Sequence, residues 1–185
     1  MSEHDVRQAM AATPRRDFLP PEQRGSAHLD QPLPIGHGQT SSQPTTVRQM
    51  VETLDVHPGQ RVLDVGAGSG WTTVILARLV GPTGSVLGLE LQPDLATWGA
   101  GNVAAAGLPW ARLEPARPGH LGRPDEGPYD RILVSAEARE LPDVLVDQLG
   151  DDGVLVLPVA GRLLRVHRAA DGTTSVARLG HYRFV

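Results

Sequence analysis

The sequence predicts an α/β fold in which a doubly wound, mostly parallel sheet ends in an antiparallel edge. Short β-branched runs alternate with segments of helical periodicity, and glycines and prolines separate them. The last apolar runs follow one another with no helix between them, which favours antiparallel strands. A chain of 185 residues is long enough for one such domain. We expect one compact unit over residues 46–185, preceded by an irregular N-terminal arm over residues 1–45.

Each expected element follows from a local pattern. In the arm, residues 3–12 predict a short helix, and the proline-rich remainder predicts mostly loop, because proline fixes φ and removes a donor. A turn is expected at Asp151-Asp152-Gly153. The elements expected after residue 45 are a helix through Val47–Leu54, a strand at Arg61–Val65, a helix at Trp71–Val80, a strand at Val86–Glu90, a helix at Pro93–Ala106, a strand at Arg131–Ser135, a helix at Pro142–Leu149, and strands at Val154–Val159, Leu163–Arg168 and Val176–Leu179.

Composition excludes several classes of function. A net charge of −4 and scattered arginines argue against a general nucleic-acid binder. No apolar run is long enough to span a bilayer, and the first residues show no basic stretch followed by an apolar block. The chain has no cysteine, and its histidines show no metal-ligand spacing. We therefore expect a cytoplasmic monomer that binds no nucleic acid, membrane or metal.

A glycine loop follows the first predicted strand. Gly66, Gly68 and Gly70 lie between that strand and a helix, where ligands of open α/β sheets bind. The spacing is GxGxG rather than the dinucleotide GxGxxG, and Asp64 before it is more typical of methyltransferases. Glu90 closes the second strand, where a carboxylate can accept two hydrogen bonds from ribose hydroxyls. The pattern predicts a Rossmann-like site for S-adenosylmethionine. A nicotinamide cofactor and a turn that only connects strand to helix are the alternatives.

A second signal lies in the arm, and it resembles one family. Residues 30–44 read DQPLPIGHGQTSSQP, which resembles the DxxLPIGxGQTISQP segment of protein-L-isoaspartate O-methyltransferases. The resemblance extends to Ala9–Pro20, to VLDVGAGSG at 62–70, to PYDRI at 128–132 and to the stretch from Leu141 to Val159. It thus covers nearly the whole chain. The arm motif is specific, whereas many methyltransferases share the glycine loop.

The resemblance implies a repair reaction and a set of site residues. Members methylate the α-carboxyl of L-isoaspartyl residues in damaged peptides or proteins, and the ester then cyclises to a succinimide. S-adenosyl-L-methionine is the methyl donor and S-adenosyl-L-homocysteine the product. The matching positions are Ser42 for the active-site serine, Gln39, Thr40 and Ser41, with His37, for substrate contacts, and Asp64, Gly66, Ala67, Gly68, Gly70, Glu90 and Leu91 for the cofactor.

Chemistry agrees with a serine in this position. A carboxylate is already ionised at neutral pH, so the reaction needs alignment rather than a strong base. A small hydroxyl can orient the carboxylate by hydrogen bonding. The alternative for Ser42 is capping of the helix that begins near Pro44, and the alternative for His37 is a solvated loop position.

The chain departs from the family pattern at several points. Aligned on Gly122, Pro118 replaces an acid that helps hold the adenine side of the cofactor, which predicts the loss of one hydrogen bond. The segment Tyr182–Val185 resembles the family's last strand without its end, and Ser41 replaces an isoleucine. These departures leave two further hypotheses. One is a paralogue that methylates a specific aspartate carboxylate in a ribosomally made peptide natural product, and the other is a non-catalytic binding member.

Overall fold

The computed structural model describes residues 2–181, which form helices on both sides of a central sheet. Most predicted elements are present, with bounds within a few residues of those expected. The α-helices are Glu3–Ala11 (α1), Pro44–Leu54 (α2), Trp71–Val80 (α3), Pro93–Ala105 (α4) and Asp143–Val146 (α5). The strands are Leu33–Gly36 (β1), Gln39–Ser41 (β2), Arg61–Val65 (β3), Ser85–Glu90 (β4), Ala111–Pro115 (β5), Tyr129–Val134 (β6), Leu149–Val159 (β7), Arg162–Arg168 (β8) and Thr174–His181 (β9).

The central sheet has the order β5-β4-β3-β6-β7-β8-β9. Strands β3 to β7 pair in parallel, and β8 and β9 extend the sheet antiparallel from β7. The predicted fold class is therefore confirmed. Successive strands are added on one side of β3 up to β5 and on the other side from β6 onward. The carboxyl ends of β3 and β6 consequently flank the topological switch point, where open α/β sheets bind their ligands.

Two apolar clusters cover the two faces of this sheet. Val6 and Ala9 of α1 and Phe18 belong to the same cluster as α2 and α3, so the start of the arm packs into the main core. Further along the arm, Leu33 and Ile35 form a small cluster with Leu95 of α4. The division of the chain at residue 45 stays a prediction.

The arm contains more regular structure than expected. Strands β1 and β2 pair antiparallel as a hairpin, with Leu33 opposite Ser41 and Pro34 opposite Thr40. The turn between them places His37 at φ 53° and Gly38 at φ 72°. The expectation of loop is wrong for these residues. A two-stranded sheet leaves one edge of β1 unpaired. Proline, which has no N–H to donate, is tolerated on such an edge.

The predicted helix at Pro142–Leu149 is wrong in its second half. Helix α5 ends at Val146, and Leu149 already begins β7, paired with Tyr129. The expected turn at residues 151–153 is a bulge within β7, with Asp152 at φ 54°. A Cβ at Gly153 would lie 2.8 Å from the Gly150 carbonyl oxygen, so the bulge requires glycine there.

Three further outcomes concern a strand at the edge of the sheet, the helices, and the last residues of the chain. Strand β5 lies in a segment where no strand was expected. None of the helices within residues 2–181 is long and apolar enough to cross a membrane. The strand-like segment Tyr182–Val185 lies outside the described residues.

Candidate functional site

A cavity of about 710 Å³ opens at the carboxyl ends of the parallel strands. Its volume is in the range of small-molecule sites. Every parallel strand from β3 to β6 contributes the residues that follow its end, and the hairpin of the arm closes one side. The lining includes Ile35, Gln39, Thr40, Gly66, Gly68, Glu90, Leu91, Ala116, Arg117, Gly119, His120, Leu121, Gly122, Ser135, Ala136 and Glu137.

The glycine loop is held by main-chain hydrogen bonds to the neighbouring strand. The amides of Gly66 and Ala67 both donate to the Leu89 carbonyl, at 2.8 and 3.0 Å. Gly68 has φ 53°, and a Cβ there would lie 3.2 Å from Cδ1 of Ile35. The absence of a side chain at this position therefore lets the loop approach both the cavity and the hairpin.

Glu90 lies at the end of β4, as predicted, with its carboxylate buried under the loop. Its Oε2 accepts from the Gly68 amide at 2.8 Å, and its Oε1 accepts from the Gln92 amide at 2.9 Å. Each carboxylate oxygen has a second lone pair, so both can still accept a ligand hydroxyl. Leu91 follows at the edge of the same cavity, with 66 % of its surface exposed. The predicted cluster of glycine loop, acid and apolar residue is thus assembled in one place.

Three of the predicted cofactor residues do not line the large cavity. Ala67 borders an adjoining small cleft, and Gly70 faces α4, where a Cβ would lie 2.7 Å from Cγ2 of Val103. Asp64 is fully buried beneath the loop and lines neither the cavity nor this cleft, and its assignment to the cofactor site stays a prediction. Its Oδ2 accepts from the Thr73 hydroxyl at 2.7 Å, and its Oδ1 has no partner among the described residues. Burial raises the pKa of Asp64 to about 7, and the nearby charge of Glu90 acts in the same direction.

The wall formed by residues 116–122 carries no carboxylate. Pro118 accepts from His120 Nδ1 through its carbonyl, at 3.2 Å, and its ring does not line the cavity. Gln148 holds this wall: its Nε2 donates to the Leu121 carbonyl at 3.0 Å, and its Oε1 accepts from the Arg123 amide at 2.8 Å. The loss of an adenine contact at Pro118 stays a prediction.

The substrate residues predicted in the arm are distributed over two connected spaces. Gln39 and Thr40 line the large cavity. Thr40, Ser41 and Ser42 border a small adjoining cleft, together with Gly66 and Gly68. Ser42 therefore lies next to the glycine loop, although no hydrogen bond of its hydroxyl is among the described contacts.

The alternative role of Ser42 as a helix cap does not match the geometry. Gln43 occupies the N-cap position of α2, and no side chain caps it locally. Asp30 supplies the hydrogen bonds instead: it accepts from the Thr45 amide at 2.9 Å and from Nε2 of Gln43 at 3.0 Å. His37 lies at the exposed turn of the hairpin, 3.4 Å from a carboxylate oxygen of Asp94, and does not line either space.

Sequence reasoning missed two groups of residues around the site. Ser135, Ala136 and Glu137 follow β6 and line the cavity opposite Glu90, a position that the order of the strands alone could have indicated. Arg15 is buried beneath the hairpin and donates hydrogen bonds to it, and no local pattern points to that role.

Comparison with known proteins identifies the family. A sequence model of the protein-L-isoaspartate(D-aspartate) O-methyltransferase family matches residues 1–185. The chain belongs to this family. It is 41 % identical over 184 residues to the protein-L-isoaspartate O-methyltransferase of Methanopyrus kandleri, covering 97 % of this chain and 81 % of that one. The enzyme of the same name from Aeropyrum pernix is 46 % identical over 154 residues, which cover 83 % of this chain and 59 % of that one.

Solved structures agree with this assignment. A protein-L-isoaspartate O-methyltransferase structure from Plasmodium falciparum, in complex with S-adenosyl-L-homocysteine, superposes with a TM-score of 0.84 at 27 % identity. The match covers 100 % of this chain and 90 % of that one. A second structure of the same enzyme type superposes with a TM-score of 0.85 at 25 % identity, covering 98 % of this chain and 60 % of that one.

Proposed function

We propose that this chain is an S-adenosylmethionine-dependent carboxyl O-methyltransferase that acts on L-isoaspartyl residues of peptides or proteins. The observation that carries the proposal is that the arm loop (residues 30–44) and the glycine loop (residues 66–70), which are 22 positions or more apart along the chain, border the same cavity and cleft. Membership of the family supplies the reaction. The two loops supply the two halves of a site for it.

The residues present fit the cofactor. Glycines at 66 and 68 leave open backbone beside the cavity, and Glu90 keeps acceptor capacity for ribose hydroxyls. Leu91 offers an apolar surface at the rim. When bound, S-adenosylmethionine supplies a methyl group activated by the positive charge of its sulfonium. Glu90 would hold the ribose, and the glycine loop would approach the cofactor through its backbone.

The arm loop would handle the acceptor. The substrate carboxylate is ionised at neutral pH, so the protein's task is to align it with the methyl group. Ser42 would donate its hydroxyl hydrogen to one carboxylate oxygen and leave the other free to react. Gln39 and Thr40 line the cavity beside it and would contact the substrate backbone. No proton has to be removed from the acceptor, which agrees with the absence of a histidine beside Ser42 in the described cleft.

Methylation of paired peptides tests the reaction. The protein is incubated with labelled S-adenosylmethionine and either an isoaspartyl peptide or the same peptide with normal aspartate, and only the first should be methylated. Ser42→Ala should lower kcat about tenfold through the loss of one hydrogen bond, while the affinity for S-adenosylhomocysteine stays unchanged. Ser26→Ala, in the same arm but outside both spaces, is the matched control.

The outcomes separate the alternatives. Methylation of neither peptide would contradict the proposal, and cofactor binding by calorimetry would then favour a dedicated peptide substrate. Absence of both turnover and binding would favour a non-catalytic member. We further propose that the enzyme acts in the cytoplasm as a monomer without nucleic acid or membrane, and light scattering at working concentration tests the monomer.

A further inference from the structure

Arg15 is a buried cation that is surrounded by backbone carbonyls. Only 5 % of its surface is exposed. Its guanidinium donates to the Ser41 hydroxyl and the Leu29 carbonyl at 3.1 Å, and to the carbonyls of Gln31, Ser41 and Ser42 at 2.9 Å. No carboxylate in residues 2–181 forms an ion pair with it within 4.0 Å. A buried charge is costly to desolvate, and here the carbonyl dipoles of the arm contact it directly, while the charge of Asp30 also favours the cation.

These contacts fix the backbone on both sides of Ser42. The carbonyl of Ser41 belongs to the peptide group before the Ser42 Cα, and the carbonyl of Ser42 belongs to the one after it. Both accept from the same nitrogen, Nη2 of Arg15. Holding two successive peptide groups restricts the φ and ψ of the residue between them. The direction in which the Ser42 side chain leaves the backbone is thereby set from beneath the hairpin.

The same guanidinium contacts the helix that follows the glycine loop. It lies over the ring of Trp71, 5.5 Å from the centroid. Trp71 is the residue directly after Gly70, and its Nε1 donates to the Thr13 carbonyl at 2.9 Å. Burial lowers the pKa of Arg15 to about 10, so the group stays charged at neutral pH. Arg15 therefore contacts both the backbone around Ser42 and Trp71, the residue that follows the glycine loop.

We propose that Arg15 is a positioning residue that sets the location of Ser42 relative to the cofactor loop. The inference rests on the proposed function, in which Ser42 orients the acceptor. Displacement of a reacting group by about 1 Å can cost on the order of a hundredfold in rate. Loss of the guanidinium should therefore lower turnover and leave the cofactor site intact.

The test compares Arg15→Met with Arg16→Met, its exposed neighbour in the same turn. Turnover of the isoaspartyl peptide is measured per S-adenosylhomocysteine binding site, with sites counted by calorimetry. Arg15→Met should lower kcat by about 10- to 100-fold and change the Kd for S-adenosylhomocysteine by no more than about twofold. Hydrogen exchange should accelerate in residues 31–43 only. Arg16→Met should match the wild type in all three measurements.

Arg15→Lys keeps the test decisive if Arg15→Met fails to fold. Lysine keeps the charge with three donors in place of the fork, so its kcat should fall between those of the wild type and Arg15→Met. Wild-type kcat per binding site in either variant would overturn the inference, as would a parallel loss of cofactor binding with exchange raised throughout the chain. If the wild type methylates no isoaspartyl peptide, the proposed function fails. The exchange pattern of residues 31–43 then still decides whether Arg15 holds the loop.

Discussion

The glycine loop and the arm loop form one site but are held in different ways. Main-chain bonds to β4 and the carboxylate of Glu90 hold the glycine loop, so its position is part of the sheet. The arm loop depends on two side chains: Arg15, which donates to it from beneath, and Asp30, which accepts from residues at the start of α2. The glycine loop, which would bind the methyl donor, should therefore tolerate few backbone changes. The position of the arm loop, which would bind the methyl acceptor, depends instead on single side chains.

The largest expected effect concerns a glycine in each loop. Gly70→Ala should lower the free energy of unfolding by roughly 2–5 kcal/mol, because φ is 85° and the new Cβ would lie 2.7 Å from Val103. Gly36→Ala in the arm has φ 93° but no atom within 4 Å of the new Cβ, so about 1–2 kcal/mol is expected. Urea denaturation followed by circular dichroism measures both. Equal losses would show that the two loops are equally constrained by packing.

The next effect concerns the affinity of the donor half. Glu90→Ala should weaken binding of S-adenosylhomocysteine by about 2–3 kcal/mol, or roughly 30- to 150-fold, because the ribose hydroxyls would lose a charged acceptor. Calorimetry measures the change. Glu140→Ala, at an exposed position after β6, should bind like the wild type. Unchanged affinity in Glu90→Ala would remove this carboxylate from the proposed cofactor site.

The smallest effect, when taken per pH unit, concerns the acid beneath the glycine loop. The pKa of Asp64 is raised from 3.8 to about 7, so the folded state holds a proton that the unfolded state releases between these values. Its contribution to stability is therefore greatest at low pH and falls between about pH 4 and 7, by at most about 1.4 kcal/mol per pH unit. Asp64→Asn should flatten that part of the profile in urea denaturation at pH 5, 6 and 7. Exposed Asp151→Asn should leave the slope unchanged, and parallel profiles for Asp64→Asn and wild type would contradict the assignment.

The core of the fold could be predicted from the sequence because its signals are local. Apolar runs such as Arg61–Val65 and breakers such as Gly81-Pro82 gave strand and helix bounds that the structure confirms. Strand β5 escaped prediction because it lies at the sheet edge and carries Arg112 and Glu114, which form an ion pair at 2.8 Å. The end of α5 escaped prediction because Leu149 pairs with Tyr129 of β6, and no local sequence pattern records that pairing.

The residues of the site likewise divide into those with a local sequence signal and those without one. Glu90 and the glycines of the loop follow strand ends, so the fold class itself predicted that they meet. Arg15 could not be predicted, because its acceptors lie 14 to 27 residues further along the chain. The sequence also left open which way the Asp64 side chain points, because a residue next to a binding loop faces the cavity or the core depending on its place in the strand. Here the side chain faces Thr73 of α3.

The hydrogen bonds of Asp30 connect the two ends of the arm loop. They join residue 30 to Gln43 and Thr45, so the ends of the intervening segment are fastened to each other. A segment with fastened ends behaves as an Ω-loop, whose interior can vary while its anchoring stays the same. The hairpin that carries Gln39, Thr40 and Ser41 thus lies between two fixed ends. We expect that exchange of residues 31–42, with Ile35 kept because it packs beside Gly68, changes the substrate preference more than the affinity for S-adenosylhomocysteine.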